Sequence, residues 1–166
     1  MSIAPQLLSA IRQARAAWRP PYSPKFLDQP QSSSSWFDEV NSPFISYPAP
    51  GAAAAVVNSI QVPSGHGGVI RKIAVINQGG AFNEGSGQVI WRVLLNGAGV
   101  KGLENENSEI GQLTAPADTF IVLEDGDILQ VTVEVPLLLP GGGANQSPAG
   151  TTAARLVGWY FPYDRE

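Results

Sequence analysis

A chain of 166 residues can bury one good core and is too short for two ordinary domains. Charged residues make up only 14%, against 18 Gly and 14 Pro, which argues against disorder throughout and for a turn-rich all-β protein. The formal net charge of -4 gives no electrostatic basis for a nucleic-acid partner, and the absence of Cys excludes a disulfide framework and a thiolate metal centre.

No apolar run approaches the roughly 20 residues that cross a bilayer as a helix, so no membrane partner is expected. The opening residues, MSIAPQLLSAIRQARAAWRPP, do not read as a secretory signal, because Arg12 and Arg15 interrupt the stretch that should be uncharged. Export by that route is therefore not expected. The spacing instead predicts a short helix over residues 3–18. Leu7, Ile11, Ala14 and Trp18 fall on one face, Ser2 caps the start, and Pro20-Pro21 ends it. Such a helix is marginal unless its apolar face is buried. Two readings stay open: an anchor docked on a partner or an anionic surface, or a helix folded back on its own domain.

Residues 19–50 are rich in Pro and Ser yet carry Tyr22, Phe26, Trp36, Phe37, Phe44 and Tyr47. Proline keeps such a backbone extended. A plain linker gains nothing from exposed rings, so the expectation is an extended arm that lays its side chains into pockets of neighbouring subunits. Residues 1–50 are thus read as one anchoring arm, with Leu7, Ile11, Trp18, Tyr22, Phe26, Trp36, Phe37, Phe44 and Tyr47 as its partner-binding set. Fully stretched, about 30 residues reach on the order of 100 Å. The alternative is that the segment packs on its own domain.

Residues 51–166 read as a β-sandwich. Strands are predicted over 56–62, 68–77 and 88–96, where β-branched residues and Gly punctuation preclude a helix of ordinary length. Val89, Trp91, Val93 and Leu95 alternate with Ile90, Arg92, Leu94 and Asn96, and Asn96-Gly97 signals a tight hairpin turn. Residues 98–118 are polar and irregular, with one short edge strand. A further hairpin over 119–135 turns at Asp125-Gly126 and points Leu129, Val131, Val133 and Val135 to one side. Residues 136–150 are expected to form a long mobile loop whose Leu137, Leu138 and Leu139 want cover from a partner. A last strand runs over 153–161. Seven to eight strands without an inserted helix fit an all-β, jelly-roll-like antiparallel sandwich, preceded by the short helix and the Pro-rich arm.

Catalytic constellations are sparse. The single His66 lies in the glycine-flanked turn Ser64-Gly65-His66-Gly67-Gly68, and one imidazole makes neither a transition-metal site nor a convincing nucleophile–base pair. Glu124, Asp125 and Asp127 cluster at a turn where Asp-Gly-Asp is favoured for backbone reasons, while Glu104, Glu106 and Glu109 lie in an acidic loop. Neither set has EF-hand spacing or an evident glycosidase geometry. The glycines at 79–87 lack the Lys-Ser/Thr of a phosphate loop. Trp91, Trp159 and Tyr160 are candidate sugar-stacking platforms, but each lies within an apolar strand where core packing is the commoner use. The expectation is a non-enzymatic protein with no metal and no cofactor.

The run Val62, Pro63, Gly65, the hairpin Trp91, Val93, Asn96, Gly97, and the turn Gly126-Asp127 resemble the small jelly-roll proteins of tailed-bacteriophage virions. That resemblance covers residues 56–161. It implies a capsid decoration (cement), head-fibre or collar protein, often trimeric, held to a major capsid or other virion protein by an N-terminal segment. Its location would be the virion, assembled in the host cytoplasm. Pro63, Gly65, His66, Gly126 and Asp127 also resemble the two cupin motifs. The remaining histidines and the glutamate of the cupin metal site are missing, which leaves a metal-free cupin, or a sugar-binding sandwich, as the alternative.

Overall fold

The computed structural model describes residues 27, 29–30, 34–40, 44–78, 88–103, 106–108, 117–146 and 148–163. Among them the chain forms ten strands and no helix: β1 (Ser35–Val40), β2 (Ile45–Ser46), β3 (Ala55–Gln61), β4 (His66–Gln78), β5 (Val89–Leu95), β6 (Ala98–Gly99), β7 (Glu106–Ser108), β8 (Ala117–Leu123), β9 (Ile128–Glu134) and β10 (Thr151–Pro162). All pairings are antiparallel. One sheet runs β1-β10-β4-β8 with β2 beside β10, and the other runs β3-β9-β5-β6 with β7 beside β5. The pairs are nested: β1 with β10, β3 with β9, β4 with β8, β5 with β7. One long hairpin has been folded over so that its arms alternate between two sheets, which is the jelly-roll arrangement.

Side-chain alternation explains why the two sheets close face to face. Along β9, Leu129, Val131 and Val133 are buried on one face, and Val135 continues that row. Opposite them in β5 stand Val89, Trp91 and Val93, also buried. The first sheet contributes Ile70, Ile73, Ile121, Leu123, Ala154 and Leu156 to the same core. Each such aliphatic side chain contributes about 1.5–3 kcal/mol when fully removed from water. One polar tie crosses between sheets: Asn58 of β3, 5% exposed, donates from Nδ2 to the Ala154 carbonyl of β10 at 2.8 Å. The β3–β9 register slips beside this residue, between Val56 and Asn58. That bulge accounts for an inward-facing amide in an otherwise apolar row.

A second, smaller cluster contains Val69, Trp159 and Phe161, all buried, with Leu27 and Tyr163 packed against it. The register shifts near these residues, where β4 skips Arg71 between Ile70 and Lys72 against Val157/Gly158 of β10 and against β8. The cluster lies on the side of the first sheet away from the main core, with residues from both ends of the chain packed there.

The expectations for the arm divide by residue. Leu7, Ile11, Trp18, Tyr22 and Phe26, and the whole 3–18 helix, lie outside the described residues. Trp36 and Phe37 belong to β1, in register with Trp159 and Gly158 of the chain's own β10. Phe44 is half-buried, and Tyr47, expected to reach a neighbour, is 7% exposed within the chain's own core. Its ring meets Trp91 edge-on, with centroids 6.5 Å apart. Strand pairing thus begins at Ser35, well before residue 51. Residues 35–40 pair along one edge with β10 of the same chain, in antiparallel register over all six residues, as the end strand of that sheet.

The 136–150 connection also differs from a structureless loop. Leu138 bridges to Ala144, Leu139 N–H donates to the Gly143 carbonyl at 2.8 Å, and Asn145 N–H donates to the Leu137 carbonyl at 3.1 Å. These bonds make a small hairpin with a glycine tip, Gly142 taking φ 83°.

Candidate functional site

Folding the long hairpin over gives the sandwich two different ends. At one end the tight turns 62–65, 96–97 and 124–127 meet. Asn96 (φ 51°) and Gly97 (φ 81°) take the two positive φ values of a type I′ turn. Asn96 then reaches across to the next turn: Nδ2 donates to Asp127 Oδ1 at 2.7 Å, and Oδ1 accepts from Ile128 N–H at 2.9 Å. The other oxygen of Asp127, Oδ2, accepts from Glu124 N–H at 2.7 Å. Asp125 Oδ2 accepts from Gly65 N–H at 3.1 Å, and Asp125 N–H donates to the Tyr163 hydroxyl at 2.9 Å. Val62 N–H donates to the Asp127 carbonyl and Tyr163 N–H to the Gly65 carbonyl, both at 2.9 Å.

The residues shared with the cupin motifs, Pro63, Gly65, His66, Gly126 and Asp127, are therefore neighbours in space. Gly65 and Asp127 are hydrogen-bonded to adjoining turn residues, Gly65 to Asp125 and Tyr163, and Asp127 to Asn96, Glu124 and Val62. His66 Nδ1 stands 3.0 Å from the Ser64 carbonyl, as its donor in the Nδ1–H tautomer. Among the described residues no group of three or more His, Asp or Glu side chains could hold a metal ion. Beside these turns is an open groove of about 440 Å³ lined by Gln61, Val62, Pro63, Ser64, Asp125 and Gly126. It holds one carboxylate, already hydrogen-bonded, and no base aimed at a nucleophile. Glu104, Glu109 and the glycines at 79–87 lie outside the described residues.

The opposite end is built differently. Asn145, 8% exposed, pins the 136–145 hairpin to the start of β5. It donates from Nδ2 to the Gln88 carbonyl at 2.9 Å and the Pro136 carbonyl at 2.7 Å, and accepts at Oδ1 from Gln88 N–H at 3.0 Å. Nearby, Tyr47 donates its hydroxyl to Asn77 Oδ1, and Thr152 Oγ1 lies 3.1 Å from the Ile76 carbonyl and 3.2 Å from Asn77 Oδ1. Burial pushes the Tyr47 phenol above its ordinary value of 10.0, against a smaller lowering by its hydrogen bond to Thr152. Gly51 N–H donates to the Val135 carbonyl at 2.8 Å, bringing the 47–54 connection against Leu137.

On that pinned hairpin, Leu137 is 62% exposed and Leu138 56%. Residues 136–145, PLLLPGGGAN, carry no charge. Both are large aliphatic side chains left in solvent on a hydrogen-bonded backbone. The sequence signal for them was the Leu run before Pro140, and the organiser that sequence reading missed is Asn145, whose bonds to Gln88 span the two sheets' connections.

The sugar-stacking candidates do not offer open faces. Trp91 is 4% exposed and Trp159 2%, while Tyr160 is half-buried and packed on the main core. Trp91 Nε1 is buried with no hydrogen-bond partner among the described residues. Among the described residues the exposed large aromatic ring is Phe120, 51% accessible, with the Arg71 guanidinium 5.3 Å from its centroid. Comparison with protein-family models and with curated proteins finds no match for the chain.

Proposed function

We propose that this chain is a non-enzymatic structural protein of a tailed-phage virion, a decoration or cement protein of the capsid. The observation that carries the reading is the charge-free, hydrogen-bonded hairpin that holds Leu137 and Leu138 out of a sandwich whose interior is otherwise filled. Buried aromatics and spent polar turn atoms leave the described surface without a built catalytic or sugar-binding constellation, and they favour this reading over a sugar-binding or cupin-like one. The segment before β1 supplies the second contact: Leu7, Ile11, Trp18 and Tyr22 clamp a neighbouring subunit or the major capsid protein. The partners are therefore other virion proteins and further copies of the chain, as a trimer, and the location is the particle.

Sedimentation of the purified chain with capsids that lack it tests the proposal. Saturable binding at the shell, lost on replacing Leu137 and Leu138 by Glu, is the expected result. Labelling confined to the collar or tail would move the protein to that part of the particle. No association with any particle, for a chain that is folded, would overturn the reading.

A further inference from the structure

We infer that Asn96-Gly97 is a covalent modification site, a deamidation site held shut by the turn end and able to unclasp it once modified. Asn-Gly is the dipeptide in which the following backbone nitrogen meets least steric hindrance in approaching the side-chain carbonyl carbon. Both residues are exposed, and a Cβ at Gly97 would meet no atom within 4 Å, so water and hydroxide have free access. The reaction needs only water. The Gly97 nitrogen loses its proton and attacks Asn96 Cγ, a C–N bond forms, and the Cγ–Nδ2 bond breaks with release of ammonia. Water then opens the succinimide at one of its two carbonyls, giving Asp or isoaspartate at position 96. No electrons are transferred to or from the chain.

What makes this site more than a labile dipeptide is where its amide is held. Nδ2, the leaving group, donates to Asp127 Oδ1 at 2.7 Å, and Oδ1 accepts from Ile128 N–H at 2.9 Å. Asn96 N–H also donates to the Ile128 carbonyl at 2.9 Å. The amide must leave these contacts to close the ring, so in the fold the reaction waits on local opening of the 96–97 and 124–127 turns. The aspartate product keeps an acceptor for Ile128 N–H but cannot remake the donation to Asp127. An aspartate at 96 presents an oxygen where Nδ2 had donated, facing the Asp127 carboxylate, and two like charges replace a charge-assisted hydrogen bond. Isoaspartate does further damage, because its extra backbone methylene has no place in a two-residue type I′ turn. The Asp127 carbonyl also accepts from Val62 N–H just past the end of β3, so the disturbance passes to the neighbouring turn.

The test follows the full chain at mildly alkaline pH, folded and in urea, by peptide mapping for the mass change of amide to acid at residue 96. Reaction at least about tenfold slower in the folded chain is expected, a factor equivalent to about 1.4 kcal/mol of local opening. Asp127→Ala should bring the folded rate toward the unfolded one. Asn96→Asp should speed hydrogen exchange at the Ile128 amide while that of β10 stays unchanged. Equal rates at Asn96 in folded and unfolded chain would overturn the gating, whatever the variants do. Ile128 exchange in Asn96→Asp identical to that of the parent chain would overturn the unclasping.

Discussion

Replacing Gly67 by Ala puts a single methyl group where the outer cluster of the first sheet is tightest. A Cβ at residue 67 would lie 2.6 Å from both Cε2 and Cζ of Phe161 and 3.0 Å from Cε1 of Tyr163. Carbon atoms in favourable contact sit about 3.5–4.0 Å apart, so the Phe161 ring must retreat by about 1 Å. At 0% exposure, among Val69 and Trp159, it has no space to do so. Overpacking of this kind costs about 1–3 kcal/mol. Because Gly67 does not take a positive φ, Ala suits its backbone and returns about 0.5–1 kcal/mol through the unfolded chain. With a 2.6 Å approach to a ring that cannot move, the upper part of the range applies, a net loss of about 1–2.5 kcal/mol, or about 2–10 °C in Tm for a chain of this size.

Urea unfolding should show the lower midpoint with an unchanged slope, since the surface exposed on unfolding is the same. Phe161→Leu in the Gly67→Ala background should recover part of the loss, a coupling that only a direct contact produces. Gly97→Ala is the contrast, costing about 1 kcal/mol for its φ of 81° with no neighbour to clash, and no Phe161 substitution should rescue it. A Gly67→Ala chain as stable as the parent would refute the placement of Phe161 and Tyr163 over this glycine.

Tyr47→Phe removes the hydroxyl that donates to Asn77 and should cost about 1 kcal/mol in urea melts. The fold holds the Tyr47 proton more tightly than the unfolded chain does, so this group's stabilisation is complete below the ordinary value of 10.0 and is lost as pH rises through the raised value. Tyr47→Phe should therefore flatten the alkaline fall of stability, read by melting across pH 8 to 12. Asn145→Ala leaves Gln88 N–H and two carbonyls without their partner and should lower stability by about 1–3 kcal/mol. Limited proteolysis should then cut near Gly141–Gly143 faster than in the parent chain. Removing residues 1–50 takes away β1, β2 and Tyr47 and should abolish the cooperative unfolding transition, whereas removing residues 1–22 should leave it in place.

The strands whose signal is local were legible. Period-two alternation in 88–96 and 119–135, with turn residues at Asn96-Gly97 and Asp125-Gly126, places β5, β8 and β9 to within about two residues, because both the face and the turn are written in neighbouring positions. β1 was not legible. SWFDEV sits among prolines and serines, and its partner β10 lies at the other end of the chain, so nothing local announces the pairing. The same holds for Tyr47, whose place in the core depends on Trp91 and Asn77.

Of the leucine run expected to want cover, Leu137 and Leu138 are exposed and Leu139 is half-buried. The hydrogen bonds that tie the hairpin to β5 come from Asn145, a polar residue that composition alone assigns to a loop. His66 and the turn carboxylates looked like chemistry-bearing groups at sequence level. In the fold, Asp125, Asp127 and the imidazole make bonds that close turns.

The central claim, attachment to a phage particle through the segment before β1 and the Leu137–Leu138 hairpin, is tested most directly by cosedimentation with tailed-phage capsids that lack the chain. The full chain should bind in a fixed, saturable ratio. The form lacking residues 1–22 and the Leu137→Glu, Leu138→Glu form should both keep the parent melting transition and lose binding. Capsids that bind the two altered forms as well as the full chain, or no form at all, would contradict it.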